Sequence, residues 1–419
     1  MSKFALLDCN NFYVSCERLF NPSLNNKPVL VLSNNDGCIV ARSNEAKKLG
    51  IPMGAPYHHY RQVIETNNIA VFSSNYQFYG DMSQRVMDSL NMLIPNIEIY
   101  SIDEAFIQLD DFNYKDLAGI AKYIRNKILM WTGIPTSIGI APTKTLSKVA
   151  NYIAKKHRAN GIFDIHDSPT KDKIISDIPV EDIWGISYRW GRKLRALGIS
   201  SALELKNTDT KFIRNNFSIV LERIVYELRG LSCIDLNIRT TKKSIGSSKS
   251  FGKLIIEIEK IEEAISNYAA RACEKLRAQK SKTNGIYVFL KTNPFRKNEP
   301  QYQKSATLGF DLPTSDTGLI IRSAKNLIKR IYDNRYRYHK CGIILLDLVP
   351  ENQIQSHLFI KYDEYRKDNL MKVLDNINKS MGRKTIFHAS QGIKYEWETR
   401  RNKISQHYTT KWEDLPKIY

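Results

Sequence analysis

Over the first 165 residues, apolar positions come in short blocks separated by polar turns, and the blocks switch between a period of two and a period near 3.6. Phe4–Asp8, Lys27–Ser33 and Cys38–Ala41 are apolar or β-branched runs bounded by turn residues, as short strands are. Asn44–Leu49, closed by Gly50 and Pro52, and Asp81–Leu93, closed by Pro95, read as helices. Ile97–Ile102 and Ala105–Leu109 read as two strands flanking the acidic pair Asp103-Glu104. Lys115–Trp131 carries Leu117, Ile120, Ala121, Ile124 and Ile128 at helical spacing. Thr136–Ala141 reads as a further strand and Lys144–Lys156 as a basic helix. This order predicts a split β-α-β sheet with helices on one face.

The pattern then changes. Pro179–Leu205 holds a short helix, a Gly-containing turn, a second basic helix and another turn at Gly198. That is the layout of a helix-hairpin-helix element, whose turn amides can hold a DNA phosphate, and equally of a helical hairpin with no ligand. Arg239–Lys253 is polar, basic and poor in large apolar residues, and reads as an exposed linker. An α+β segment follows, with helices at Ile261–Gln279 and Gly318–Tyr332 and strands at Gly285–Lys291 and Cys341–Leu348. After Pro350 the chain reads as irregular and charged.

Charge sharpens this division. The 63 Lys and Arg outnumber 43 Asp and Glu, a formal +20. Residues 1–239 hold 29 basic against 24 acidic residues, +5, whereas residues 240–419 hold 34 against 19, +15. Such an excess favours a polyanionic partner, nucleic acid first and an anionic membrane surface second; a merely solubilising surface is the third reading. Apolar runs such as Val29–Leu32 and Ile343–Leu346 are far too short to span a membrane, and Asp8 interrupts any secretory signal. The six cysteines form no C-x-x-C pair, so neither a zinc site nor a disulfide framework is expected, and a reducing, cytoplasmic location fits.

Three carboxylates end apolar strand patterns: Asp8 after FALL, and Asp103 and Glu104 after IEIYSI. A lone Asp at a strand end is ordinarily a cap, and an Asp-Glu pair ordinarily a solvated bend. Brought together on neighbouring strands, they would form a hard-oxygen site suited to Mg²⁺. Two such ions can activate a hydroxyl and stabilise a leaving pyrophosphate, which makes phosphoryl transfer the favoured reaction class. Arg42, Lys47, Lys155 and Lys156 are basic residues able to hold a triphosphate against that sheet.

Four segments carry a resemblance: DCNNFYVSCER at Asp8–Arg18, SNNDGCIVARSNEAKKLGIPMG at Ser33–Gly54, YSIDEAFIQL at Tyr100–Leu109 and SIGIAPTKTLSKVANYIAK at Ser137–Lys155. They resemble Y-family DNA polymerases, and the resemblance runs essentially the full length, to the terminal HYTTKWEDLPK. It implies a right-hand α+β polymerase: a ferredoxin-like palm at 1–22 and 78–165, small fingers at 23–77, and a helix-hairpin-helix thumb at 166–238. It further implies a linker at 239–253, an α+β little finger at 254–350 and a tail at 351–419. The activity implied is template-directed, error-prone addition of dNTPs to a primer 3′-end across damaged bases.

The same resemblance assigns residues. Asp8, Asp103, Glu104 and the backbone carbonyl of Cys9 would hold two Mg²⁺ ions. Tyr13 matches the steric gate against the sugar 2′-hydroxyl, with Phe12 beneath the sugar. Ile39 and Val40 would roof the nascent pair, and Arg42, Ser43, Lys47 and Lys155 would contact the triphosphate. Asn44 departs from the family, where an aromatic residue often precedes Glu-Ala. Gly185 and Ser187 fall in the thumb hairpin, where a second glycine is more usual than Ser187. Lys249, Lys253, Arg296, Lys297 and Lys304 would contact DNA phosphates. Gln355, Leu358 and Phe359 resemble the Q-x-x-L-F motif that docks polymerases on the bacterial sliding clamp. The branch of the family in question also implies a processed UmuD dimer and a RecA filament as partners. A nucleotidyl cyclase-like palm and a non-catalytic DNA-binding scaffold are the rival readings.

Overall fold

The run Phe4–Cys9 has no polar alternation, and in the computed structural model of the chain all six of its residues are buried. The structure describes residues 3–110, 117–157, 160–165, 171–236, 241–354 and 364–415. The chain divides into two units: 1–33, 37–238 and 403–419 form the first, and 34–36 with 239–402 the second.

The first unit opens with β1 (Phe4–Cys9), α1 (Phe12–Phe20), β2 (Val29–Leu32), β3 (Ile39–Arg42), α2 (Asn44–Lys48), α3 (Arg61–Thr66) and β4 (Ala70–Ser73). It continues through α4 (Tyr76–Leu93), β5 (Ile97–Ile99), β6 (Glu104–Gln108), α5 (Leu117–Thr132), β7 (Thr136–Ala141), α6 (Lys144–His157) and β8 (Ile162–Asp164). Short helices follow: α7 (Lys171–Ser176), α8 (Tyr188–Ala196), α9 (Ala202–Asn207), α10 (Thr210–Asn216) and α11 (Ile219–Leu228).

The main sheet runs β5-β6-β1-β7-β8, with β1 antiparallel to both neighbours. Ala5 and Leu7 join a core with Phe78, Met82 and Val86 of α4 and Ala121, Ile124 and Ile128 of α5. The opposite face is covered by α6, where Asn151 Nδ2 donates to the carbonyls of Leu6 (3.0 Å) and Ser137 (2.9 Å). Gly139 is what admits α6, since a Cβ there would stand 2.0 Å from the Asn151 nitrogen. Helices therefore lie on both faces, which corrects the one-face expectation. A central strand apolar on both faces over Phe4–Leu7 needs cover on each side, and each fully buried aliphatic side chain contributes about 1.5–3 kcal/mol.

A smaller sheet, β3-β2-β4, packs Leu30, Leu32 and Ile39 against Ala46, Ile51 and Ile64. The α7–α11 segment shares a core with Leu146, Val149, Ala150 and Ile153 of α6, and Glu227 of α11 also binds the start of that helix. This fully buried carboxylate accepts from the amides of Thr145 (3.0 Å), Cys233 (2.7 Å) and Ile234 (3.2 Å).

The second unit contains β9 (Ile245–Ile255), α12 (Ile258–Ala278), β10 (Ser281–Lys291), β11 (Gln303–Thr314), α13 (Thr317–Ile331), β12 (Tyr338–Pro350) and α14 (Glu364–Ser380). Its sheet runs β11-β10-β12-β9, antiparallel throughout, and α12 and α13 share its core. Two expectations are corrected here. The linker at 239–253 is a strand from Ile245 onward: only Ile245, Phe251 and Ile255 of β9 are buried, so its sequence looks like a solvated segment. The tail is not irregular either, because α14 is a regular helix held to α12 by the bidentate pair of Arg277 with Asp375 (2.6 and 2.7 Å).

Candidate active site

The site grows from strand register. Because side chains alternate along β1, Asp8 faces α6 together with Leu6, and pairing places Asp8 directly opposite Glu104. Like charges across a strand pair repel, and both carboxylates are met by ammonium groups from one face of α6. Lys155 Nζ is 2.5 Å from Asp8 Oδ2, and Lys148 Nζ is 2.8 Å from Glu104 Oε2. The Asp8 side chain is only 10% exposed. Burial is the main cause that pushes its carboxyl up to about 7; Lys155 opposes the rise and Glu104 adds to it. Asp103 is turned aside, accepting from Ser101 Oγ at 2.6 Å, while its carbonyl accepts the Cys9 amide at 2.8 Å. Among the described residues no three His, Cys, Asp or Glu side chains stand close enough to enclose an ion as they are. The donor set nevertheless fits a divalent cation: two facing hard-oxygen groups, each already neutralised by one positive charge, with a third carboxylate adjacent in sequence.

Lys148, absent from the sequence reading, sits in an aromatic surround. Its ammonium lies 4.6 Å from the Tyr100 ring centroid, 5.6 Å from that of Trp184 and 5.8 Å from that of Phe106. Trp184 Nε1 donates to Tyr100 Oη at 2.8 Å. A cleft of about 330 Å³ is lined by Asp8, Glu104, Lys148, Tyr152, Lys155 and Trp184. The legible signal was spacing: residues 148, 152 and 155 share one helical face.

A second cleft, of about 440 Å³, meets the first at Tyr152 and Lys155 and is lined by Asn10, Asn11, Asn44, Lys47, Arg125, Ser137 and Lys156. Lys47 Nζ donates to Asn11 Oδ1 (2.6 Å) and Asn44 Oδ1 (3.3 Å). Asn44 thus supplies a polar contact in place of the aromatic residue expected there. Burial and the charges of Arg42 and Lys155 push the Lys47 ammonium down, against the pull of Asp8. Arg42 donates to the Ile51 carbonyl, and its buried Nε has no partner among the described residues. Two candidate nucleotide contacts also have a place in the fold. Ser43 is fully buried and caps α2, accepting from the amides of Ala46 (3.2 Å) and Val29 (3.1 Å). Ile39 is buried in the smaller core, and alternation leaves Val40 as the half-exposed neighbour.

Tyr13 lies in the first turn of α1, which follows Asn11, whose left-handed backbone (φ 48°) turns the chain into the helix. Its ring stacks on Tyr79, with centroids 4.4 Å apart and planes at 14°, and meets Tyr76 edge-on at 6.2 Å. Burial is the main cause raising the Tyr13 hydroxyl to about 12. Phe12 is buried beside it, centroids 5.8 Å apart. In the hairpin before α8, Gly185 has φ 88° and Ser187 Oγ caps α8 by accepting the Trp190 amide at 3.3 Å. Ser187 therefore serves the turn in place of a second glycine.

In the second unit, Lys249, Lys253, Arg296, Lys297 and Lys304 are all exposed. Lys253 pairs with Glu396 (3.4 Å) and Arg296 with Glu299 (2.7 Å), while Lys304 lies over the Tyr302 ring at 5.5 Å. Partial burial and the charges of Arg401, Arg383 and Lys384 push Lys249 down, opposed by Glu398. Gln355, Leu358 and Phe359 lie outside the described residues.

With this geometry in hand, the comparisons are consistent along the chain. Residues 7–152 match the impB/mucB/samB family, residues 242–358 its C-terminal domain, and residues 368–418 a domain of unknown function, DUF4113. The chain is 42% identical to Protein UmuC of Salmonella typhimurium over 99% of this chain and 100% of that one. It is 25% identical to DNA polymerase IV 1 of Bacillus subtilis over 96% of each. Among solved structures, a Y-family DNA polymerase chimera of Dbh and Dpo4 shares the fold, with a TM-score of 0.67 at 20% identity over 83% of this chain and 99% of that one. A carboxylate pair set by strand register, a stacked tyrosine beside it and relatives matched end to end converge: the chain belongs to the impB/mucB/samB family, the UmuC-like branch of the Y-family DNA polymerases.

Proposed function

We propose that the chain extends a primer across damaged template bases by template-directed, error-prone phosphoryl transfer at the Asp8 and Glu104 pair. The observation that carries this reading is their facing register on β1 and β6, with Lys148 and Lys155 as counter-charges. Asp8, Asp103, Glu104 and the Cys9 carbonyl would hold two Mg²⁺ ions, which when bound activate the primer hydroxyl and neutralise the leaving pyrophosphate. Lys155, released from Asp8, would join Lys47 and Arg42 in orienting the triphosphate from the second cleft. Tyr13, held against Tyr79, would close off the space beside the sugar C2′, so a ribose hydroxyl meets a ring. Val40 is the fingers residue free to roof the base pair.

By this reading the palm is 1–22 and 78–165, the fingers 23–77 and the thumb 166–238, with 254–350 as the little finger extended by β9. The exposed basic residues on its sheet and loops, Lys249, Lys253, Arg296, Lys297 and Lys304, grip template and primer phosphates, and Gly185 and Ser187 do so in the thumb. Gln355, Leu358 and Phe359 dock the sliding clamp, and a processed UmuD dimer and a RecA filament are further partners. Among the described residues no helix is long and apolar enough to cross a membrane, in keeping with a cytoplasmic enzyme. A nucleotidyl cyclase would have no use for the hairpin or for the second, basic unit.

Primer extension with Mg²⁺ on undamaged and abasic templates tests the assignment. Asp103→Ala and Glu104→Ala should each abolish extension; unchanged extension in both, or template-independent product, overturns it. Clamp pull-down should be lost on changing Leu358 and Phe359 to Ala.

A further inference from the structure

The C-terminal residues return to the first unit at Lys403 and settle on the edge of its smaller sheet. The Ser73 amide donates to the Lys403 carbonyl (2.9 Å), the Lys403 amide donates to Ser73 Oγ (2.9 Å), and Ile404 pairs in parallel with Ser73. Tyr408 then stacks on Phe20, with centroids 4.8 Å apart and planes at 10°, and meets Phe78 edge-on at 5.6 Å.

Between these two apolar and backbone contacts lies a buried polar chain. Asn75 Nδ2 donates to Ser405 Oγ (3.2 Å) and lies near the carbonyls of Ser405 (3.3 Å) and Gln406 (3.2 Å). Ser405 Oγ donates in turn to Glu17 Oε1 at 2.9 Å, and the same oxygen accepts from Tyr79 Oη at 2.6 Å. The donor inventory orders these bonds: an ionised Glu17 only accepts, so both hydroxyls must point at it, and Ser405 is left free to accept from Asn75. Glu17 is 1% exposed, Asn75 1% and Tyr79 0%. Docking a tail needs only apolar contact and strand pairing. A fully satisfied buried network adds a single allowed geometry, and here its far end is the ring on which Tyr13 stacks.

We propose that the C-terminal segment 403–408 is a positioning element of the nucleotide site, acting through Ser405, Glu17 and Tyr79 to hold the ring of Tyr13 against the incoming sugar. The proposal rests on the reading of Tyr13 as the sugar gate. Ser405, Glu17 and Tyr79 touch no substrate; they set where Tyr13 stands. It gives part of the segment matched to a domain of unknown function a defined task.

The test is the ratio of dNTP to rNTP incorporation by the full chain, opposite one template base, under conditions that give wild-type primer extension. Each ratio is taken within one preparation, so a misfolded fraction cancels. Ser405→Ala and Tyr79→Phe should each lower the ratio about three- to tenfold, the scale of one ordinary hydrogen bond. Ser405→Thr, which keeps the donor, should restore it. In a Tyr13→Ala background Ser405→Ala should change nothing further, as coupled residues behave. Wild-type ratios in both Ser405→Ala and Tyr79→Phe, with the ratio collapsed in Tyr13→Ala, would overturn this inference and leave the gate intact. A wild-type ratio in Tyr13→Ala would overturn the gate itself and the inference with it.

Discussion

Asp8→Asn should stabilise the metal-free protein while abolishing polymerisation. Burial of Asp8 between β6 and α6 raises its carboxyl from 3.8 to about 7. At about 1.4 kcal/mol per tenfold change in proton affinity, that is about 4 kcal/mol spent on keeping the group ionised in the folded chain. The sign follows from proton counting. Between about pH 4 and pH 7 the folded state binds more protons than the unfolded state, so stability falls as pH rises through that window and levels off above it. An asparagine carries no such cost, so its stability advantage over wild type should grow by about 2 to 3 kcal/mol between pH 5 and pH 8. The absolute advantage is smaller, because Lys155 loses its partner, but that ammonium is 36% exposed and can turn to water. Denaturant unfolding in EDTA, followed by tryptophan fluorescence, suits the measurement, since Trp131, Trp184, Trp190 and Trp412 all belong to the first unit and only Trp397 to the second. A wild-type-minus-variant difference equal at pH 5 and pH 8 would refute the argument, as would an asparagine variant that loses ground with rising pH. Added Mn²⁺, bound by the ionised form, should reverse the effect: wild-type affinity should tighten about tenfold from pH 6 to pH 8, and that of the variant should stay flat.

Glu227→Ala should cost about 2–4 kcal/mol in denaturant unfolding, because it strands the buried Thr145 amide and the half-buried Cys233 and Ile234 amides that the carboxylate satisfies; a loss below about 1 kcal/mol would show those amides find other partners. Gly185→Ala combines a positive φ with a Cβ placed 2.8 Å from Ile224 Cδ1, so it should cost about 1–3 kcal/mol and weaken primer-template binding at fixed salt. If Lys304 contacts a phosphate, Lys304→Ala should weaken binding alike on all sequences and lower the slope of log affinity against log salt by about one; an unchanged slope would remove it from the interface.

Much of the architecture was legible along the chain because local pattern and tertiary role agree. β1, β7, α2 and α6 appear within a residue or two of where periodicity places them. The omissions share a cause. α1, with Phe12, Val14 and Cys16 buried, is short and follows a strand without a break. β9 buries only three of its side chains, and α14 has Met371 as its one fully buried apolar residue among those described. Weakly amphipathic elements are stabilised by neighbours they do not announce.

The site divides in the same way. Sequence by itself determined that acidic residues close two apolar strands, that basic residues crowd one helix, and that positive charge concentrates after residue 239. Residue type and spacing are local properties, and they bounded the chemistry to hard cations and phosphates. Only tertiary structure decided that Asp8 faces Glu104 while Asp103 turns to Ser101, that Lys148 stands guard beside Lys155, and that Ser43 and Ile39 belong to the fold. Only it, too, joined Ser405 to Glu17, 388 positions apart. Strand register and buried hydrogen bonds are settled by which surfaces exclude water together, and no window along the chain contains both partners.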